Sequence, residues 1–297
     1  MCKRNQEISL PDNRRLGFDE YGASDGKPLF YFHGAPSARV EWNLFGCAAL
    51  AQKHQLRVIV PDRPGLGLSD FQPGRQLLDW PTDVSALADS LGLDRFAIMG
   101  CSAGGPYAAA CALKLPERLT HVLMVSSVGP HNEPGLTDDI TPQIRQSTRL
   151  ACDKPWLYRL ILRMMNLLAR YAPQRLIAQA IATLPAPDQA TLTQPEFQRG
   201  FVAMLKEALR HGPRGAQVDT ALMVSPWGFS PQAITAPVQL WHGEADRNAP
   251  IAMGRYLAAA IPHSQAHFYP GEGHLSLLAK HIDEILGCLA LPGLAVE

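Results

Sequence analysis

The segment Gly100-Cys101-Ser102-Ala103-Gly104 sets a serine among small residues where an apolar run, 95–99, gives way to a helical pattern, 103–115. This is the G-x-S-x-G context in which a sharp strand-to-helix turn exposes a nucleophile. A serine hydroxyl attacks poorly until a base takes its proton. Gly271-Glu272-Gly273-His274 follows the strand pattern at 265–269 and offers that base in a loop rather than on a core face. The imidazole in turn needs a carboxylate to orient it and stabilise its cation. Asp246 closes the loop Gly243-Glu244-Ala245-Asp246 after another apolar run at 237–243. The chain order Ser102, Asp246, His274 is the order used when the nucleophile sits on such an elbow. Two backbone N–H groups should hold the developing oxyanion. Ala103 follows the nucleophile, and Ala35 lies in His33-Gly34-Ala35-Pro36 after the apolar run 29–33, where Gly34 permits close approach. The chemistry expected is attack on a carbonyl, an acyl-enzyme and its hydrolysis, with no metal and no organic cofactor.

Each assignment has a competitor. Glu244 is the nearest rival acid, and Asp138 and Asp139 are further ones, otherwise a solvated loop pair. His33 reads as a loop brace rather than a catalyst, and Pro36 lacks an N–H and can only shape the turn. His263 and His267 share an i,i+4 spacing but bracket a strand start, so no metal site is expected there. Cys101 adjoins the nucleophile, where alkylation would block the site, but it reads as a small buried hydrophobe.

The elements that must position these residues follow from pattern. Continuous apolar runs at 29–33, 57–61, 95–99 and 120–126 suit parallel strands buried on both faces. Helical stretches near 41–53, 76–91 and 103–115 lie between them, which predicts a doubly wound parallel sheet. Residues 131–228 hold no strand run but contain helical stretches such as 156–171 and 196–210. After the strand at 237–243 come a helix near 250–260, a strand at 265–269 and a helix from about 275. The reading is an α/β core interrupted by a helical insertion: 1–130, then 131–228, then 229–297.

Composition narrows the class. The chain has 297 residues, 46% of them hydrophobic, which is ample for a sizeable core. Lys+Arg and Asp+Glu number 27 each, and this balance argues against nucleic acid as a main partner, since binding it draws on a basic surplus. No apolar run is long enough to span a membrane. The opening MCKRNQEISLPDNRR has charges without an apolar stretch behind them, unlike a secretory signal. The six cysteines are scattered without C-x-x-C or metal spacing, which reads as free thiols in a reducing, cytoplasmic setting. The 25 prolines fall mostly at punctuating positions.

HGAP at 33–36, PDRPGLGLSD at 61–70, GCSAGG at 100–105, HGEAD at 242–246 and GEGHL at 271–275 together resemble the α/β-hydrolase fold superfamily. The resemblance implies an eight-stranded, mostly parallel sheet and a helical cap inserted after the sixth strand, about 131–228. The HGAP form is similar to the esterase, perhydrolase and epoxide-hydrolase branch rather than to the HGGG lipases. Ser102 argues against the epoxide hydrolases and haloalkane dehalogenases, whose nucleophile is aspartate. The HGGPG and GGSWG strings of proline iminopeptidases are missing. The Asp62–Asp70 loop is a family marker with an expected structural role. Substrate contacts are expected from Gly34, from Met165 and from Trp227 at the return to the core. In the 156–171 stretch, Met164, Met165 and Leu168 either line an acyl pocket or pack on the core, and a basic amphipathic helix can also lie on a membrane surface. The substrate expected is a small ester. C–C (meta-cleavage-product type), lactone and amide bonds are alternatives for the same residues, and a non-catalytic binding protein is the remaining one. Oligomeric state is not legible.

Overall fold

The computed structural model describes residues 2–290; residue 1 and residues 291–297, which end the outer sequence segments, lie outside the described residues. One sheet of eight strands carries the site. The strands are β1 (Cys2–Ser9), β2 (Arg15–Gly22), β3 (Lys27–Phe32), β4 (Leu56–Pro61), β5 (Phe96–Cys101), β6 (Leu119–Val125), β7 (Val238–Gly243) and β8 (Ser264–Tyr269). Their order is β1-β2-β4-β3-β5-β6-β7-β8. β1 and β2 pair antiparallel and β2 joins β4 antiparallel; all other neighbours are parallel. The five strands read as apolar runs and the sixth expected at 265–269 are present. β1 and β2 were hidden by their charges: β1 is a mostly exposed edge, and β2 buries Asp19 and Glu20. Those two carboxylates survive burial because Arg39 and Arg57 pair with them at 3.1 and 2.6 Å.

Helices α1 (Cys47–Lys53), α2 (Trp80–Ser90) and α3 (Gly105–Lys114) alternate with the early strands, and α10 (Ile251–Ala260) and α11 (His274–Gly287) with the last two. The stretch expected as one helix at 41–53 is split. A 3-10 turn over Arg39–Phe45 stops at Gly46, whose φ of 65° suits glycine, and α1 starts beyond it. Side chains alternate across β5. Phe96 and Ile98 join a core under α2, α3 and α10, while Ala97, Met99 and Cys101 face the core under α1 and α11. Both faces are therefore covered, as a parallel sheet requires.

Between β6 and β7 run six helices, α4 (Pro142–Asp153), α5 (Pro155–Tyr171), α6 (Pro173–Ile181), α7 (Ala186–Leu192), α8 (Pro195–Ala208) and α9 (Arg214–Val224). A proline stands in the first turn of five of them, α4 to α8, where a missing N–H costs nothing. They share a core of their own around Leu162, Leu176, Leu192 and Leu205. Among the described residues no helix is long and apolar enough to cross a membrane. The strand order reverses between β3 and β5, and the crevice beyond their carboxyl ends is where such sheets bind ligands.

Candidate active site

Ser102 stands at the end of β5 with φ of 54°, a strained value for a residue with a side chain. The turn is tight because its neighbours are glycines. A Cβ on Gly100 would run into the backbone of Gly104, and one on Gly104 into the backbone of Phe32. Ser102 Oγ lies 2.9 Å from Nε2 of His274, the first residue of α11. His274 Nδ1 lies 2.7 Å from Oδ2 of Asp246 in the loop after β7. The other oxygen of Asp246 accepts the N–H groups of Asn248 and Ala249 at 2.8 and 2.9 Å, so the carboxylate cannot turn away. These partners assign the proton of neutral His274 to Nδ1, leaving Nε2 to accept from the serine hydroxyl. Burial pulls the His274 pKa down. The charge and hydrogen bond of Asp246, with the charges of Asp188 and Glu41, outweigh burial and leave it raised. Among the rival acids, Glu244 pairs with Arg255 at 3.0 Å, and Asp138 and Asp139 are exposed.

The loop after β3 closes over the serine. A Cβ on Gly34 would sit 3.5 Å from Ser102 Cβ. The Gly34 N–H is taken by Glu41, whose two oxygens both lie at 3.0 Å and whose Oε1 also accepts from Tyr31 Oη at 2.6 Å. His33 is fully buried with Nδ1 2.9 Å from the Gly34 carbonyl, and burial, with the nearby Arg63 charge, pushes its pKa well down. It braces the loop as a neutral ring. Ala103 is the second residue of the 3-10 turn Ser102–Gly104, among the N–H groups that a helix start leaves unpaired. Cys101 is buried and its thiol is pushed well above its usual pKa by burial, so it is no thiolate.

A cavity of about 280 Å³ opens beside Ser102, lined by Gly34, Ala35, Phe45, Tyr158, Met165, Phe201 and Met204 among others. Gly34 and Met165 thus border the space where a substrate would lie. Trp227 does not: it is buried in the core on the α2–α3 face of the sheet, with its ring 5.5 Å from that of Phe229. The chain returning from α9 uses this indole to pack against the sheet, so the expected contact with substrate is corrected. On α5, steps of 100° per residue separate three neighbours. Met165 faces the cavity, Leu168 packs in the core of the inserted helices, and Met164 points outward. His267 stacks on Trp241 with ring centres 4.1 Å apart, and among the described residues no cluster of His, Cys, Asp and Glu is placed to hold a metal.

Four residues here escaped the sequence reading. Glu41 holds Gly34 as described. Arg63, within the marker loop, donates to the carbonyls of His33 and Gly34 and pairs with Asp219 of α9 at 2.6 Å. Asp219 also takes Arg75 at 2.9 Å. Asp188 of α7 accepts the N–H groups of His274, Leu275 and Ser276 at 2.9, 2.8 and 3.0 Å, capping α11 from outside. Within the same marker loop, Asp62 accepts the Arg39 N–H at 2.6 Å and the Leu68 N–H at 2.8 Å, a structural part.

The chain is similar to known proteins over most of its length. The family model described as alpha/beta hydrolase fold matches residues 27–280. A 2-hydroxy-6-oxo-2,4-heptadienoate hydrolase of Pseudomonas putida is 27% identical over 253 residues, 84% of this chain and 83% of that protein. A solved bromoperoxidase from Bacillus anthracis superposes with a TM-score of 0.71 at 21% identity, covering 96% of this chain and 98% of that one. A thermophilic esterase from Thermogutta terrifontis does so with a TM-score of 0.67 at 22% identity, covering 96% of each chain.

Proposed function

Since the chain belongs to the α/β-hydrolase fold family and is a hydrolase, we propose that it cleaves small, uncharged carboxylic esters through Ser102, His274 and Asp246. The observation that carries this is the relay of 2.9 Å from Ser102 Oγ to His274 Nε2 and 2.7 Å from His274 Nδ1 to Asp246. Ser102 Oγ attacks the ester carbonyl carbon while Nε2 takes the hydroxyl proton. The carbonyl oxygen gains charge and is held by the N–H groups of Ala103 and Ala35. Gly34 cannot serve, because Glu41 occupies its N–H. His274 then returns the proton to the departing alcohol, leaving Ser102 acylated. Water, deprotonated by the same nitrogen, attacks the acyl carbon and releases the acid and free serine. Asp246 stays ionised and stabilises the imidazolium at each proton transfer.

The lining of the cavity argues for an uncharged substrate. Among the described residues no Lys or Arg borders it, Glu41 does, and burial drives the His131 pKa down to about 4, so that ring is neutral. A substrate carboxylate there would be buried without a cation, which is costly. The volume of about 280 Å³ lies at the small end of ligand sites, roughly 300–1,000 Å³, which favours a short acyl group. Residues 131–228 are assigned as the cap that roofs this space over a core of 1–130 and 229–297. The six cysteines are free, in keeping with a reducing cytoplasm.

A second reading rests on the likeness to hydrolases whose names specify dienoates, over 84% and 85% of the chain. In that case the bond broken is C–C, next to a ketone. A fluorophosphonate probe followed by peptide mapping tests the nucleophile: one adduct on Ser102 is expected, lost in His274→Ala. Turnover of p-nitrophenyl butyrate against a 2-hydroxy-6-oxo-dienoate then separates the bonds. Faster cleavage of the dienoate would overturn the ester assignment.

A further inference from the structure

The large exposed apolar side chains of the described protein are Trp156, Leu160, Met164, Leu167 and Tyr171, and all five belong to α5. Their spacing of 4, 4, 3 and 4 residues keeps them on one side of the helix. Their exposures run from 47% at Leu160 to 82% at Tyr171, so no described residue covers this stripe. The opposite side is fully used: Tyr158, Leu162 and Ala169 are buried, and Tyr158 and Met165 border the catalytic cavity. A helix with apolar residues inside and out has a second partner to meet.

Charge identifies the partner. Arg159, Arg163 and Arg170 fall side by side along one flank of the stripe, and α5 contains no Asp or Glu. Beyond that flank lies a groove lined by these three arginines with Arg214 and His211, and by no carboxylate. The Arg159 Nε in it is buried without a hydrogen-bond partner. We propose that α5 docks in the plane of an anionic phospholipid bilayer, its apolar stripe among the acyl chains and its arginine groove on the phosphates. The helix is about 25 Å long at 1.5 Å per residue. Trp156 and Tyr171 belong to the stripe, and rings with an apolar body and a polar tip settle at the headgroup boundary along which a flat-lying helix runs. Three arginines on a 17-residue helix forbid spanning but suit lying flat. A second copy of the chain is the poorer fit, because two antiparallel α5 helices related by a two-fold axis would bring their arginine rows together with no acid between them.

Vesicle flotation tests this with phosphatidylcholine alone and with phosphatidylcholine containing 30% phosphatidylglycerol. Each arginine near an anionic leaflet strengthens partitioning roughly fivefold, so a preference of about 100-fold for the anionic vesicles is expected. It should weaken steeply at about 0.6 M salt, where the Debye length is about half its physiological value. Four of the five tryptophans are buried, so a blue shift of fluorescence on adding anionic vesicles would report Trp156 and vanish in Trp156→Phe. Arg163→Glu/Arg170→Glu and Leu160→Gln/Leu167→Gln should each abolish flotation while keeping the wild-type Tm, since these side chains are exposed. Three results would overturn the proposal: no flotation with either vesicle, equal flotation with both, or a dimer that Leu160→Gln/Leu167→Gln splits while the protein ignores vesicles.

Discussion

Two carboxylates of the inserted helices reach the two loops beside Ser102, and they hold them by different physics. Asp219 of α9 lies between Arg63 and Arg75 and accepts the Tyr107 hydroxyl at 2.7 Å; Arg63 passes the grip to the His33 and Gly34 carbonyls. Asp188 of α7 meets no guanidinium among the described residues and holds the His274 turn through three backbone N–H groups. Burial pushes both pKa values up. At Asp219 the two guanidinium charges overcome burial and leave the pKa lowered. At Asp188 the N–H donors and the His274 charge do not, and the pKa stays raised. One fastening is thus fixed and ionised, and the other is conditional and sits on the turn of the base itself.

The comparison is broken most directly by removing each carboxylate. Asp219→Ala strands two buried guanidiniums and should cost about 3–5 kcal/mol, the largest loss of any substitution considered, read from urea melts at pH 7. Asp188→Ala strands only N–H groups at a helix start and should cost about 1–3 kcal/mol. Its larger effect should be on kcat, roughly tenfold to a hundredfold down with KM little changed, because a misplaced imidazole spoils the attack geometry. Equal losses of stability in the two variants would erase the distinction between them.

The pH dependence of stability sharpens it. Asp219 has a folded pKa below the ordinary 3.8, so its contribution is present above the unfolded value and is lost as the pH falls through the folded one. The stability gap between wild type and Asp219→Ala should therefore stay constant from pH 7 to about 4 and close only below 3.8. Asp188 has the opposite sign. Its folded form takes up a proton at a higher pH than its unfolded form, so acidification through that range does not cost stability on its account. A gap for Asp219→Ala that closes near pH 6 would show that its carboxylate is not held ionised by the arginines.

The two fastenings also mark where the sequence stops being readable. Ser102, His274 and Asp246 stand at the ends of strands that read as apolar runs, so strand-end loops could be picked out and the three brought together on paper. The positions of β3 to β8 were legible in the same way, whereas their order in the sheet came only with the fold. β2 was invisible because Asp19 and Glu20 break its apolar pattern, and only the fold brings Arg39 and Arg57 to them. Asp188 and Asp219 sit in helices separated from their partners by 86 and 156 residues. Nothing local distinguishes them from surface acids. Trp227 misled for the converse reason: a large aromatic at a junction suits a pocket mouth or a core equally, and the choice belongs to the packing under α2. On α5 the periodicity was plain, but its inner and outer apolar sides could not be told apart until the helix was seated.

The smallest effect is the most discriminating. If His274 is the base, kcat/KM must fall as the pH drops through the imidazole pKa, which the charges of Asp246, Asp188 and Glu41 hold above the ordinary 6.5. Asp188→Asn keeps an acceptor oxygen for the His274 turn but removes one of those charges. The pKa of His274 should then fall and the acid limb of the profile move to lower pH. The variant would lose kcat at pH 8 yet give up a smaller fraction of it, by a few-fold, on going to pH 6. Asp219→Asn provides the contrast, because Asp219 is not among the main charges that raise the His274 pKa and its loss should leave the limb in place. A carboxylate that merely holds the turn would lower kcat at every pH without moving the limb. A displaced limb in Asp188→Asn alone therefore separates an electrostatic role on the base from a mechanical one.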